Sequence, residues 1–407
     1  KKLYTFSNHV HVTENEGQSW ELISPDLTRN DPSKLQSSGG PITKDNTGVE
    51  YYATIFAVDE SPLKEGLIWV GSDDGLIHIT KDGGESWENI TPRGMPEWMM
   101  INSIDASPFD EGTAYVAGTR YKLGDFTPYL YRTDNYGKTW KLITNGIESE
   151  HFTRVLRSDK TQKGLLYSGT ETGMYVSFND GKSWEKFQKN LPIVPITDLT
   201  IKDNSLIVAT QGRSLWIIDD LTVIHQLDKN DSELKLYKPK DAYRVRGAGG
   251  NKSLTAGTNL PNGAIIHYYI PEYDKENDEI ILSFHSKDGK EIKSYGTKNK
   301  DNKLKVKKGG NNFVWNMRHE GAEVLDGMIL WAVNFSGAKA IPGEYIVKLK
   351  HNDVEISKSF NILQSPISEA SIEDMQLQFE FINEINSLVD NAHKSIKKMR
   401  SISKKLK

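Results

Sequence analysis

Four times in its first half the chain returns to one eight-residue pattern: TENEGQSW (13–20), TKDGGESW (80–87), TDNYGKTW (133–140) and SFNDGKSW (177–184). Each copy has Ser or Thr first, Asp or Asn third, Gly fifth, Ser or Thr seventh and Trp eighth. The anchoring residues are Thr13, Asn15, Gly17 and Trp20, then Thr80, Asp82, Gly84 and Trp87, then Thr133, Asn135, Gly137 and Trp140, and last Ser177, Asn179, Gly181 and Trp184. Such residues make a pinned turn. The hydroxyl and the Asp or Asn side chain accept nearby backbone N–H bonds, glycine supplies a positive φ, and the indole opens the next strand with a large ring to bury between neighbouring sheets. Successive tryptophans stand 67, 53 and 44 residues apart, a spacing that points to a repeat architecture with one small sheet per unit.

The intervening segments read as short strands. Before Trp87 lie YYATIFAV, LIWVGS and LIHIT, with SWENIT after the turn, and the next two units repeat the order with INSIDAS, TAYVAG, PYLYRT and FTRVLRS, LLYSGT, GMYVSF. This is the make-up of a four-stranded propeller blade. A last unit (ITDLTIK, SLIVAT, SLWIID) has no turn repeat, and the first lacks an opening strand. Five units with incomplete ends are not expected to close alone: residue 1 is read as internal to a longer protein, and the remaining blades are expected from its N-terminal portion or from another chain.

Composition narrows the function classes. The net charge of −4 comes from intermixed Lys, Asp and Glu, which leaves no basic face for nucleic acid. No run approaches the roughly 20 apolar residues of a membrane-crossing helix, so direct membrane insertion is not expected. With no cysteine among 407 residues, disulfides, thiolate metal sites and a cysteine nucleophile are excluded. His9 and His11 alternate onto one strand face, but no third ligand is near in sequence, so they are read as structural and no metal or cofactor is expected. The glycine-rich RVRGAGG (244–250) lacks a following Lys-Ser/Thr and reads as linker.

The eight-residue pattern resembles the Asp-box, or BNR repeat, of sialidases, xyloglucan-type glycosidases and sortilin (Vps10) propellers. Together with LISPDLTRNDP (22–32), IWVGSDDGLIHITKDGGESW (68–87), LLYSGTETGMYVSFNDGKSW (165–184) and ATQGRSLWIIDD (209–220), the chain is similar to the C-terminal half of the large exported BNR-repeat proteins of Bacteroidota. The resemblance implies that the boxes are structural turns on the face away from the ligand, and that the protein is exported to the bacterial cell surface or periplasm. It fixes no activity, because one fold hosts many functions.

On the face opposite the boxes lie the turns between second and third strands: GSDDG (71–75), GTRYKLGDFTPY (118–129), GTETG (169–173) and TQGRS (210–214). They offer Asp73, Asp74, Arg120, Tyr121, Asp125, Glu171 and Arg213 to a common rim, and GMPEWMM (94–100) adds Trp98 as a stacking surface. A glycosidase would use two such carboxylates about 5–10 Å apart, and the sequence does not select the pair. Each residue also has a scaffold reading: Asp73-Asp74-Gly75 is a favoured hairpin turn. A sialidase would need an arginine triad and a Tyr/Glu pair, which these segments do not assemble.

Residues 226–262 read as a polar linker and 263–365 as six or seven antiparallel strands of an immunoglobulin-like sandwich. From 371 to 407 an amphipathic helix is expected, opened by Ser371 and Asp374 as cap, with a heptad-like stripe at Met375, Ile382, Ile385, Val389, Ala392, Ile396 and Met399 docked within the protein or on a partner. The expected fold is mainly β: part of an Asp-box β-propeller over 1–225, the sandwich, and the helix. The expected function is a sortilin-like, non-catalytic platform for peptide, protein or glycan in an outer-membrane or cell-surface assembly; the alternative is a glycoside hydrolase.

Overall fold

The computed structural model describes residues 2–45, 47, 51–227, 232–245, 257–325, 327–329 and 335–406. The chain is mainly β with one long helix near its C-terminal end, and it divides into two compact units, Lys1–Asp219 and Asp220–Lys407.

In the first unit, antiparallel meanders follow one another in chain order. Sheet 1 holds Leu3–Phe6, Val10–Thr13 and Glu21–Leu22, and sheet 2 holds Ile55–Glu60, Ile68–Ser72, Ile77–Thr80 and Glu88–Asn89. Sheet 3 comprises Met100–Ala106, Ala114–Arg120, Asp125–Thr133 and Lys141–Leu142; sheet 4 comprises Thr153–Ser158, Leu166–Thr170, Gly173–Ser177 and Glu185–Lys186. Sheet 5 closes the series with Ile196–Lys202, Ser205–Thr210 and Leu215–Ile218. A strand covered on both faces must be apolar or small throughout, and every residue of Ile68–Ser72, Leu166–Thr170 and Gly173–Ser177 is buried.

The sheets lie face to face at close range. A Cβ on Gly71 would stand 2.3 Å from Ile101 Cγ2 of the next sheet, and one on Gly169 would stand 2.5 Å from Ile196 Cγ2. These glycines exist because a neighbouring isoleucine occupies the space where their side chain would be. Small apolar clusters fill the seams: Val10, Leu27, Ile55 and Val70 near the first, and Tyr115, Leu130, Ile143 and Trp184 further on.

The turn repeat clips each sheet to the one before it. Thr80 Oγ1 accepts the N–H of Gly84 at 2.9 Å and donates to Asp82 Oδ1 at 2.7 Å, and the same carboxylate takes the N–H of Ser86 at 3.0 Å. Thr13 with Asn15, Thr133 with Asn135 and Ser177 with Asn179 repeat this pattern. The indole N–H then reaches back one sheet: Trp87 donates to the Ile23 carbonyl at 2.9 Å, Trp140 to that of Ile90 at 2.7 Å, and Trp184 to that of Ile143 at 2.6 Å. Trp20 departs from the expected burial. It is 42% exposed, and among the described residues no indole contact of Trp20 with another sheet is found.

The second unit has two sheets around one core. Lys235–Leu236, Ala264–Ile270 and Gly309–Trp315 form one; Ala242–Arg244, Val354–Gln364, Gly343–His351, Ile280–Ser286 and Glu291–Gly296 form the other, in that spatial order. Trp315 and Phe284, from opposite sheets, stack at 4.3 Å between ring centres, and Tyr345 and Phe360 complete the cluster. Two expectations are corrected here. Part of the supposed linker 226–262 belongs to the sheets through Lys235–Leu236 and Ala242–Arg244, and the latter pairs parallel with Val354–Gln364, so the unit is not wholly antiparallel. Leu236 and Ala242 are buried in the core, and that apolar anchoring outweighs the polar residues around them. The glycines of RVRGAGG, 247, 249 and 250, lie outside the described residues.

The helix Ile372–Leu406 starts as a capping box: Asp374 N–H donates to Ser371 Oγ and Asp374 Oδ2 accepts the Ser371 N–H, both at 3.0 Å. The face it buries differs from the expected stripe. Met375 and His393 are buried and Ile382, Val389 and Ile396 half-buried, whereas Ile385, Ala392 and Met399 are exposed. The register is set by His393 Nδ1, which bonds the Glu323 carbonyl, and by Asp390, which accepts the Glu323 N–H at 2.6 Å.

Candidate functional site

Trp98 stands at the start of the segment leading into sheet 3, half-buried and held at φ +58°. A left-handed conformation is uncommon for a bulky residue and marks a position fixed by its surroundings. The Tyr52 ring meets it edge-on at 5.7 Å, and the Arg29 guanidinium and Lys34 ammonium lie 5.4 and 5.7 Å from its ring centre. Both are cation–π distances. Beside it opens a small cleft lined by Tyr52, Asp73, Trp98, Thr119, Arg120 and Lys122, among others.

Arg120, which lines this cleft, holds one carboxylate, and a second carboxylate in the lining differs from it sharply. Its Nη1 pairs with Asp125 Oδ2 at 2.8 Å and its Nε donates to the Glu97 carbonyl. Asp125 also accepts the Tyr129 hydroxyl at 2.8 Å and the Thr127 N–H at 3.0 Å. Burial acts to raise the Asp125 pKa, but these donors outweigh it and draw the value down to about 2. Asp73, in the cleft, is pushed the other way: burial raises its pKa, with the neighbouring Asp74 charge adding to it, against the N–H of Thr54 that its Oδ1 accepts at 2.9 Å. Asp73 and Asp125 are therefore poised in opposite directions.

Tyr121 lies on a short 3₁₀ turn, Tyr121–Leu123, directly after Arg120. Its ring stacks on Phe152 at 5.2 Å, the Arg154 guanidinium lies over both rings, and Arg154 Nε pairs with Glu171 Oε2 at 2.6 Å. Glu171 is thus tied to the scaffold of an aromatic surface.

Asp74 does not face the rim, contrary to the expectation. It is 1% exposed, its Oδ1 accepts the Ser72 hydroxyl and its Oδ2 the Arg29 N–H at 2.7 Å, while Arg29 Nε donates back to the Asp74 carbonyl. A buried carboxylate needs such partners, and here they anchor the segment that carries Arg29 under Trp98. Arg213 is exposed and folds onto its own Gly212 carbonyl. His9 bonds the Ser24 carbonyl and His11 bonds Ser7 Oγ; among the described residues no group of three or more His, Asp or Glu could hold a metal.

Sequence reasoning missed Arg29, Tyr52, Phe152 and Arg154. Arg29 meets Asp74 across 45 residues of chain, and no local pattern encodes that meeting. It also missed a second polar cluster, at the far ends of the first strands of sheets 2 to 5. Asp59 Oδ2 accepts the Ala106 N–H at 2.7 Å; Asp105 Oδ2 accepts the N–H and hydroxyl of Ser158 at 2.9 and 2.6 Å; Arg157 bonds Ser103 and pairs with Asp198 at 2.9 Å. Asp59, Asp105, Arg157 and Ser158 line a cavity of about 340 Å³. Burial, reinforced by Asp105, pushes Asp59 up to about 6. The signal was available in the aligned strand ends AVDESP and SIDASP, which place an aspartate at the same position of two units.

Successive meander sheets packed face to face, clipped by one recurring turn, make this a protein of β-propeller type. No family model matches the chain. Over 108 residues it is 28% identical to the oligoxyloglucan-reducing end-specific xyloglucanase of Emericella nidulans, a match covering 26% of this chain and 13% of that protein. The chain thus aligns with about an eighth of the length of that curated relative. Among solved structures it is similar to a GH74 xyloglucanase from Xanthomonas campestris (14% identity, TM-score 0.39, covering 54% of this chain and 34% of that one). It is also similar to an ancestral GH74 enzyme (15% identity, TM-score 0.38, 72% and 36% covered) and to YCF48 from Cyanidioschyzon merolae (18% identity, TM-score 0.31, 41% and 53% covered).

Proposed function

We propose that the cleft between Trp98 and Arg120 hydrolyses a glycosidic bond. The observation that carries this reading is the contrast between Asp73, in the cleft lining with its pKa raised by burial, and Asp125, drawn down to about 2 and ion-paired to Arg120 of the same lining. Asp73 is the proton donor to the leaving oxygen and Asp125 the ionised partner, the division of labour that glycoside hydrolysis requires of two carboxyl groups. Trp98 offers its face to a sugar ring. The sequence match to an oligoxyloglucan-reducing end-specific xyloglucanase supports xyloglucan oligosaccharides as the substrate class.

A second reading, the non-catalytic binding platform, has one observation in its favour. Asp74, Asp125 and Glu171 are each held by Arg, hydroxyl or backbone partners, and a rim so satisfied can bind glycan or peptide through Trp98, Tyr121 and Arg120 without chemistry. In either reading the first unit is part of a sortilin-like, Asp-box propeller completed by blades from elsewhere, the second unit an immunoglobulin-like sandwich, and the protein is exported to a bacterial surface assembly. Among the described residues no helix is long and apolar enough to cross a membrane.

The test is release of reducing ends from xyloglucan oligosaccharides by the 407-residue chain and by Asp73→Asn and Asp125→Asn. Hydrolysis predicts turnover reduced by roughly 100-fold or more in each, with unchanged circular dichroism. Binding without turnover in all three selects the platform, and absence of both rejects the cleft as a glycan site.

A further inference from the structure

The helix Ile372–Leu406 carries two apolar stripes, and the described residues cover only one. The covered stripe runs through Met375, Ile382, Val389, His393 and Ile396, on the side where Phe379 meets the His319 ring, Asp390 and His393 bond the Glu323 backbone, and His393 meets the Phe335 ring. The second runs through Phe381, Ile385, Leu388, Ala392, Met399 and Ile402, with Ser395 in its midst. These positions alternate by four and three, the spacing of a coiled-coil seam. All are exposed, Phe381, Leu388 and Met399 by 63, 64 and 61%. A seam of this length open to water marks a docking face.

Charge identifies what covers it. From Ile372 to Asp390 the helix has five acidic residues and no basic one; from Asn391 to Leu406 it has six basic residues and no acidic one. The helix dipole favours this polarity, but only in the first and last turns, and Glu384, Lys394 and Lys398 lie well inside. All three are exposed, and no ion pair holds them among the described residues. A parallel pairing would set acid against acid and base against base. An antiparallel pairing of two identical helices centred near Asp390 sets Glu384 of each against Lys398 of the other.

The same register matches the seam by size. Leu388 meets Ala392, Ile385 meets Ser395, and Phe381 meets Met399, so a large side chain faces a small or flexible one in each layer. We propose that this face pairs with the same face of a second copy of the chain, the two helices running antiparallel.

Sedimentation and light scattering across a concentration series test this in the 407-residue chain. The wild type is expected to dimerise. Glu384→Lys and Lys398→Glu, both at exposed positions, are each expected to weaken the dimer by roughly tenfold, since each turns two symmetric attractions into repulsions. Mixing the two variants in equal amounts restores a mixed dimer, because every contact is again between opposite charges. The chain has no native cysteine, so Asn391→Cys, at the centre of the antiparallel register, is expected to cross-link on oxidation, whereas Ser395→Cys, opposite Ile385, is not. A chain that stays monomeric at all concentrations, a dimer indifferent to both charge reversals, or cross-linking through position 395 in place of 391 overturns the proposal.

Discussion

The two units solve the same burial problem in different ways. In the first, each sheet is small and relies on its neighbours, and cohesion is divided among seams that repeat one device: a hydroxyl-pinned turn, a glycine at the closest approach and an indole N–H on the preceding sheet. In the second, one aromatic cluster around Trp315 joins both sheets. A divided core tolerates the loss of one contact and extends by adding units, as in other repeat folds; a single cluster concentrates the effect of each substitution.

The largest effect that breaks this comparison is expected from Trp315→Ala, which removes a fully buried ring from the centre of the second unit. It should cost about 5 kcal/mol, read as a shift in the urea midpoint. Trp184→Ala removes a buried ring and its bond to the Ile143 carbonyl from one seam, and about 3–4 kcal/mol is expected. If Trp184→Ala proves as mild as a surface change, cohesion in the first unit does not reside in the indole clips.

A third prediction concerns pH. The folded pKa of Asp59 is near 6, above its unfolded value near 3.8, so its contribution to stability is fully present below about pH 4 and is lost as pH rises through 6. Stability from this group should fall by on the order of 2 kcal/mol between pH 4 and 7. Asp59→Asn keeps an acceptor for the Ala106 N–H, should raise stability at pH 7, and should flatten that part of the pH profile of the melting temperature. The smallest effect is expected from Trp20→Ala. Because its ring is 42% exposed, the same substitution in the same motif should change stability of the 407-residue chain by about 0.5 kcal/mol or less, and a cost equal to that of Trp184→Ala would sink the seam account.

Much of the architecture was legible because its causes are local. The turn repeat is closed by hydrogen bonds spanning two to four residues, so residue type at fixed offsets is enough to read it. The strands announce themselves by short apolar runs between glycine-bearing turns. The site was less legible. Asp73 and Asp74 are adjacent and chemically identical, yet one lines the cleft and the other is 1% exposed beneath Arg29. What separates them is a partner 45 residues away, which no local pattern reveals. The helix shows the same limit: its apolar periodicity was visible, but the stripe that docks is chosen by the Glu323 carbonyl and the Phe335 ring, which lie on a different segment.

By itself the sequence determined the repeated turn, the order of small sheets and the amphipathic helix, since each follows from backbone preferences and periodicities within a few residues. Only the tertiary structure decided which carboxyl groups are buried, which are paired and which titrate high or low. Those properties depend on solvent exclusion and on charges brought together across tens of residues, and a carboxyl group's chemistry is set by that environment.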